Sequence, residues 1–184
     1  SCGVVGTLGV GRPNGQGFLS TGMTTPDPIT LHATFRRFVS EGCQAAAIEA
    51  SSIGIEELRL HATRIAVAQF TNFTQDHLDY HGSMEAYWAA KQALFQWPGL
   101  RAAVVNVDDP MGETLVDVCQ AHGLELWTYG LVQHARLQAD SLQHDVHGMS
   151  FTLVERSEDL SEVVDHAEVH TFMVGDYNVS NLLA

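Results

Sequence analysis

Nine basic residues occur in the chain, and only one of them, Lys91, is a lysine. It falls in a stretch, 83–96, whose apolar residues Met84, Tyr87, Trp88, Leu94 and Phe95 recur at helical spacing. Lys91 lies four residues after Tyr87, three after Trp88 and four before Phe95, so the helix carries it on the inward face. An ammonium buried there is costly unless it is paired or loses its proton. Two outcomes follow from pattern alone. The long stem snorkels its charged head to the helix edge, or a desolvated amine of lowered pKa turns nucleophilic. Such an amine can take up CO2 as a carbamate, an anionic metal ligand resembling a carboxylate.

Other residues have types suited to the same chemistry. Asp76-His77-Leu78-Asp79-Tyr80-His81 follows an apolar strand-like run at 65–71, and open parallel sheets bind ligands at strand carboxyl ends. Histidine and aspartate suit divalent metals, although no H-E-x-x-H motif is present to select zinc. His81-Gly82 reads as loop ahead of a helix capped by Ser83. Glu49 closes the otherwise apolar run 45–50 and precedes Ser51-Ser52, which can cap a helix or contact a ligand. In Met23-Thr24-Thr25-Pro26-Asp27-Pro28, hydroxyls gather at a helix start, a setting that serves equally as an anion site or a plain cap.

These groups need a scaffold, and the chain reads as alternating β and α units. Asp27 caps a helix with Pro28 at its first position and Leu31, Phe35 and Phe38 on its apolar stripe. Strands are expected at 3–10, 45–50, 65–71, 102–107 and 124–129, the middle three covered on both faces. A turn is read at Arg12-Pro13-Asn14-Gly15 and helices at 83–96 and 111–121. From Arg136 the pattern becomes short strands broken by His147-Gly148 and an acidic loop. The expected fold is α/β: a mostly parallel sheet flanked by helices, with a small antiparallel patch toward the C-terminus.

Composition narrows the functions. Apolar residues form 45% of the 184, enough for a packed core, and the formal charge of −13 disfavours nucleic acid as a partner. No apolar run approaches a membrane span, and the first residues lack a signal-peptide pattern. The odd set Cys2, Cys43 and Cys119 reads as free thiols of a reducing cytoplasm. Lys91-Gln92 does not complete a Walker A loop, and Gly6-Thr7-Leu8-Gly9-Val10-Gly11 runs into a polar turn rather than a helix, so no dinucleotide fingerprint is read. The residues alone leave a carbamate-using metal hydrolase and a non-catalytic acidic interaction domain open.

The features in sequence order resemble the central ATPase domain of the Mur ligases, in particular the branch acting on UDP-N-acetylmuramoyl-L-alanyl-D-glutamate. The resemblance is carried by Thr24-Thr25-Pro26, Glu49-Ala50-Ser51-Ser52-Ile53-Gly54, Phe70 through Gly82, Ala89-Ala90-Lys91, Asn106-Val107-Asp108-Asp109 and Tyr177-Asn178-Val179-Ser180-Asn181. It implies an ATP-dependent amide ligase of peptidoglycan synthesis. The substrate carboxylate becomes an acyl phosphate, which an incoming diamino acid attacks, with Mg2+ neutralising phosphate charge. Carried over by position, Glu49, His77 and carbamylated Lys91 are the catalytic, metal-binding set. Thr24, Thr25, Ser51, Glu57 and Arg59 match contacts to the UDP-MurNAc-dipeptide, and Asn178 and Asn181 match residues near the adenine of ATP.

Three positions depart from the family pattern: Ile53 in place of a frequent His, Glu57 in place of Gln, and Met23 in place of Asn. The resemblance also implies a partial central domain over 1–184. The phosphate loop and first strand would precede it, together with a uridine-binding domain, and an amino-acid-selecting domain would follow. The isolated piece is then expected to be inactive.

Overall fold

The computed structural model describes residues 1–13, 17–76 and 78–184. His77, and Asn14 and Gly15 of the expected turn, lie outside the described residues. The chain divides into two compact units, Ser1–Arg64 with Gln75–Leu94, and Ile65–Thr74 with Phe95–Ala184.

The first unit is built on a three-stranded sheet, β2-β1-β3. The apolar run at the N-terminus is not one strand. It folds into β1 (Cys2–Gly6) and β2 (Gly9–Gly11), paired antiparallel with Gly6 opposite Gly9. Gly9, at φ 114°, lies in a region L side chains rarely adopt, which is why the hairpin turns there. β3 (Ala45–Ile48) pairs with β1 in parallel. Its alanines are exposed, contrary to the expectation of a strand covered on both faces. Within this unit β3 is an edge strand, and alanine side chains offer little apolar area to drive burial.

Four helices complete the unit. α1 (Pro28–Ser40) begins as expected, with Asp27 Oδ1 accepting from the Ile29 and Thr30 amides, and buries Leu31, Thr34 and Phe38. α2 (Ser52–Glu56) starts at Ser51, whose hydroxyl oxygen accepts from the Gly54 amide at 3.0 Å. The expected loop at His81 is instead the last residue of a short helix, α3 (Leu78–His81). α4 (Met84–Gln92), capped by Ser83, buries Tyr87.

The second unit holds a six-stranded sheet in the order β4-β5-β6-β7-β8-β9. β4 (Val67–Phe70), β5 (Ala102–Asn106), β6 (Glu125–Gly130) and β7 (Leu137–Asp145) pair in parallel. β8 (Gly148–Arg156) and β9 (Val163–Thr171) add antiparallel to β7, forming the patch expected after Arg136. α5 (Pro110–Ala121) packs on β5 and β6, and α6 (Asp176–Leu183) on β6 and β7. Tyr129, Ala139, Met149, Phe151, Val179 and Leu183 form the core between sheet and α6. Asn106, Asp108 and Asp109 act as ties. Asn106 donates to the Thr71 carbonyl, Asp109 accepts from the Phe73 amide, and Asp108 accepts from the amides of Leu131, Val132 and Gln133.

Candidate functional site

Six of the expected site residues, Thr24, Thr25, Glu49, Ser51, Glu57 and Arg59, are joined through hydrogen bonds in the first unit, Thr24 by way of Thr7. The carboxylate of Glu49, just beyond β3, is held at one oxygen: Oε2 accepts from the Thr7 amide at 2.8 Å and the Thr7 hydroxyl at 3.0 Å. A hydroxyl has one proton, so the 2.9 Å contact between Thr7 Oγ1 and Thr24 Oγ1 has Thr24 as donor. Gly6 makes this possible, since a Cβ there would sit 2.7 Å from Glu49 Oε2. Sequence reasoning had passed over Gly6 and Thr7 with the failed dinucleotide pattern.

Thr25 is fully buried and central. Its hydroxyl donates to the Glu49 carbonyl at 2.8 Å and accepts from the Ser51 amide at 2.9 Å. The 3.1 Å contact to Ser51 Oγ then has Ser51 as donor. Gly54 must lack a side chain for a packing reason, because a Cβ would lie 2.7 Å from Thr25 Cβ. Arg59 Nη1 donates to the Thr25 carbonyl at 2.9 Å, while Nε and Nη2 both donate to Glu57 Oε2, at 2.8 and 2.6 Å. Arg59 is therefore a strut as well as a cation, and Glu57 masks its charge.

Lys91 is partly buried on α4, with Nζ 5.1 Å from the centroid of the Tyr87 ring, a cation–π arrangement. Desolvation lowers its pKa below the ordinary lysine value, and the negative charges of Asp76 and Glu49 oppose that shift. Desolvation and two carboxylates thus act on the amine in opposite senses. Among the described residues no three His, Cys, Asp or Glu side chains gather into a metal-holding group, with His77 outside that set.

His81 was not among the expected site residues. Its side chain is wholly buried, with Nε2 2.9 Å from Ser52 Oγ and Nδ1 3.0 Å from Glu56 Oε2, the latter off the direction of a linear hydrogen bond. Its ring stacks on Tyr87 at 5.3 Å and meets Tyr80 edge-on at 4.9 Å. The sequence offers only its i, i+4 spacing to His77; its partners on α2 and α4 are beyond what spacing shows. Asn178 and Asn181 lie one turn apart on α6 in the second unit. Asn178 spends its amide on the Val174 carbonyl at 2.8 Å, and Asn181 is exposed.

The fold is of the α/β class, with polar side chains gathered just beyond the end of a strand, where sheets of this class place their ligand sites. The chain belongs to the Mur ligase family: the Mur ligase middle domain matches residues 1–184. It is 55% identical over 183 residues to UDP-N-acetylmuramoyl-L-alanyl-D-glutamate–2,6-diaminopimelate ligase of Acidovorax sp. (strain JS42), covering 99% of this chain and 34% of that protein. It is 44% identical over 186 residues to the ligase of the same name from Ectopseudomonas mendocina (strain ymp), covering 100% and 36%. A solved structure of a UDP-N-acetylmuramoyl-L-alanyl-D-glutamate–2,6-diaminopimelate ligase matches with TM-score 0.85 and 34% identity, covering 100% of this chain and 36% of that one. The chain thus spans about a third of the length of these relatives. Among the described residues no helix is long and apolar enough to cross a membrane.

Proposed function

We propose that this chain is part of the central, ATP-handling domain of a cytoplasmic ligase joining a diamino acid to UDP-MurNAc-L-Ala-D-Glu. In this reading segments outside the chain supply the phosphate loop, the uridine-binding domain and the amino-acid-selecting domain, and the isolated chain does not turn over. The share of the relatives that it spans supports this, as do the exposed edge strands, β3 in one unit and β4, with Val67 half exposed, in the other.

The observation that carries the reading is the desolvated Lys91 amine in the field of Asp76 and Glu49. Here the lowered pKa enlarges the neutral fraction at a given pH. A neutral amine attacks CO2, forming an N–C bond and releasing one proton to solvent, and the product is a carbamate anion. Mg2+ prefers oxygen ligands, and the donor set fits it. Glu49 has Oε1 to offer once Oε2 is engaged by Thr7, and the carbamate would add oxygens. Glu49, His77 and carbamylated Lys91 would hold the ion. When bound, it would neutralise phosphate charge during transfer.

The chain's own residues do the rest by positioning. Thr24 and Ser51 offer hydroxyls to the sugar-nucleotide dipeptide, the buried Thr25 holds Ser51 from beneath, and Arg59, paired with Glu57, braces Thr25. Once the dipeptide carboxylate has been phosphorylated by ATP, the incoming amine attacks the acyl carbon and phosphate departs. Asn178 and Asn181 are read as the adenine side of the ATP site.

The test uses the full-length protein in 13C-bicarbonate. A carbamate carbon resonance is expected that disappears in Lys91→Ala, together with ATP- and substrate-dependent phosphate release lost by at least about 100-fold in that variant. Wild-type phosphate release in Lys91→Ala, with no carbamate signal in either protein, would sink the reading.

A further inference from the structure

Ser52, His81 and Glu56 stand in the order of a hydrolytic triad, hydroxyl to imidazole to carboxylate, at 2.9 and 3.0 Å. Ser52 also opens a helix directly after a strand, as a nucleophile elbow does. Exposure decides against that reading. Ser52 is 1% exposed and the His81 side chain 0%, so no acyl group reaches the hydroxyl. The polar contacts are committed to holding elements together.

What they hold is specific. α2 is only five residues long, too short to be stable without tertiary contacts. Its N-terminus is tied from both sides. Ser51 binds Thr25 through its amide and hydroxyl, and Ser52 binds the imidazole carried by α3. Glu56, one turn further along α2, places a carboxylate oxygen 3.0 Å from the other ring nitrogen, a close approach rather than a linear hydrogen bond. The ring also stacks on Tyr87, the residue over which Lys91 Nζ lies. One imidazole therefore sets the seating of the hydroxyl cluster and of the ring beneath the lysine.

We propose that His81 is a positioning residue, a buried latch that fixes the N-terminus of α2 and so aligns Ser51, seated on the buried Thr25, for the sugar-nucleotide dipeptide. This rests on reading Thr24 and Ser51 as contacts to that substrate. A change that loosens the latch weakens binding of the dipeptide substrate and leaves ATP binding alone.

The experiment measures KM for UDP-MurNAc-L-Ala-D-Glu and for ATP in the full-length protein, with thermal unfolding alongside. His81→Phe keeps a stacking ring without nitrogens, Ser52→Ala removes the hydroxyl partner, and His81→Gln restores a polar group near Nε2. Thr24→Val serves as the reference for the substrate reading. His81→Phe and Ser52→Ala are expected to raise KM for the dipeptide substrate about tenfold, with KM for ATP unchanged within about twofold, and His81→Gln to recover most of the loss. A raised KM in Thr24→Val beside an unmoved one in Ser52→Ala and His81→Phe overturns the latch alone. An unmoved KM in all of them overturns the substrate reading and the latch with it. If His81→Phe does not fold, Ser52→Ala and His81→Gln decide: an unmoved dipeptide KM in Ser52→Ala, or equal changes in both KM values, overturns the proposal.

Discussion

Replacing Thr25 by Val removes one oxygen and keeps the shape of the side chain. Three groups depend on that oxygen: the Glu49 carbonyl, the Ser51 amide and the Ser51 hydroxyl. Thr25 is 0% exposed, so water cannot replace the lost partner at its own position. Each hydrogen bond is worth about 1 kcal/mol net, and a buried group left unpaired costs about 1–3 kcal/mol. The Ser51 hydroxyl can rotate toward another acceptor, whereas the amide and carbonyl cannot. The expected loss is therefore about 2–6 kcal/mol of local stability, from two backbone groups left unpaired. Thr25→Ser keeps the oxygen and loses one methyl group, a cost of about 1 kcal/mol. Hydrogen exchange read over peptides spanning β3 and α2 reports the effect where it arises. The Ser51 amide should lose protection by at least about 30-fold in Thr25→Val and far less in Thr25→Ser, following the factor of ten per 1.4 kcal/mol. Equal protection in the two variants would refute the reasoning, because it would mean that the methyl group and not the hydroxyl holds the cluster.

Two further outcomes are expected. Burial pushes the Tyr129 phenol up to about 12, with the Asp108 charge adding to the shift. A phenol whose folded pKa exceeds its unfolded value of 10.0 keeps its full contribution below pH 10, and stability falls as pH rises from 10 toward 12. At 1.36 kcal/mol per unit this amounts to no more than about 3 kcal/mol, so Tyr129→Phe should flatten the alkaline limb of urea-unfolding stability between those values. An unchanged slope would count against that assignment. Glu57→Gln should unmask the Arg59 cation toward an anionic substrate and lower KM for the dipeptide substrate up to about fivefold, the effect shrinking with salt because the pair is partly exposed. A raised KM would mean that Glu57 acts chiefly as the brace of Arg59.

Much of the scaffold was legible residue by residue because its signals are local. Asp27-Pro28 announces α1 through capping chemistry that needs only adjacent amides. The runs expected at 65–71, 102–107 and 124–129 became parallel strands, and β5 has the burial on both faces that a continuous apolar stretch signals, whereas β4 alternates exposed and buried residues. The same rule misread β3. Its run is also apolar, but as the edge of its three-stranded sheet it is exposed, and periodicity carries no information about what lies alongside a strand.

Sequence by itself determined the family, the α/β class and the solitary lysine on the inward side of its helix. Those depend on residue identity and on spacing within single elements. Tertiary structure alone decided that Thr7 and Gly6 grip Glu49, that Glu57 masks Arg59, and that His81 is a buried bridge from α3 to α2. Each of these joins groups from separate turns, strands and helices. A hydrogen bond senses a few ångströms and an angle, and only the folded path of the chain supplies them.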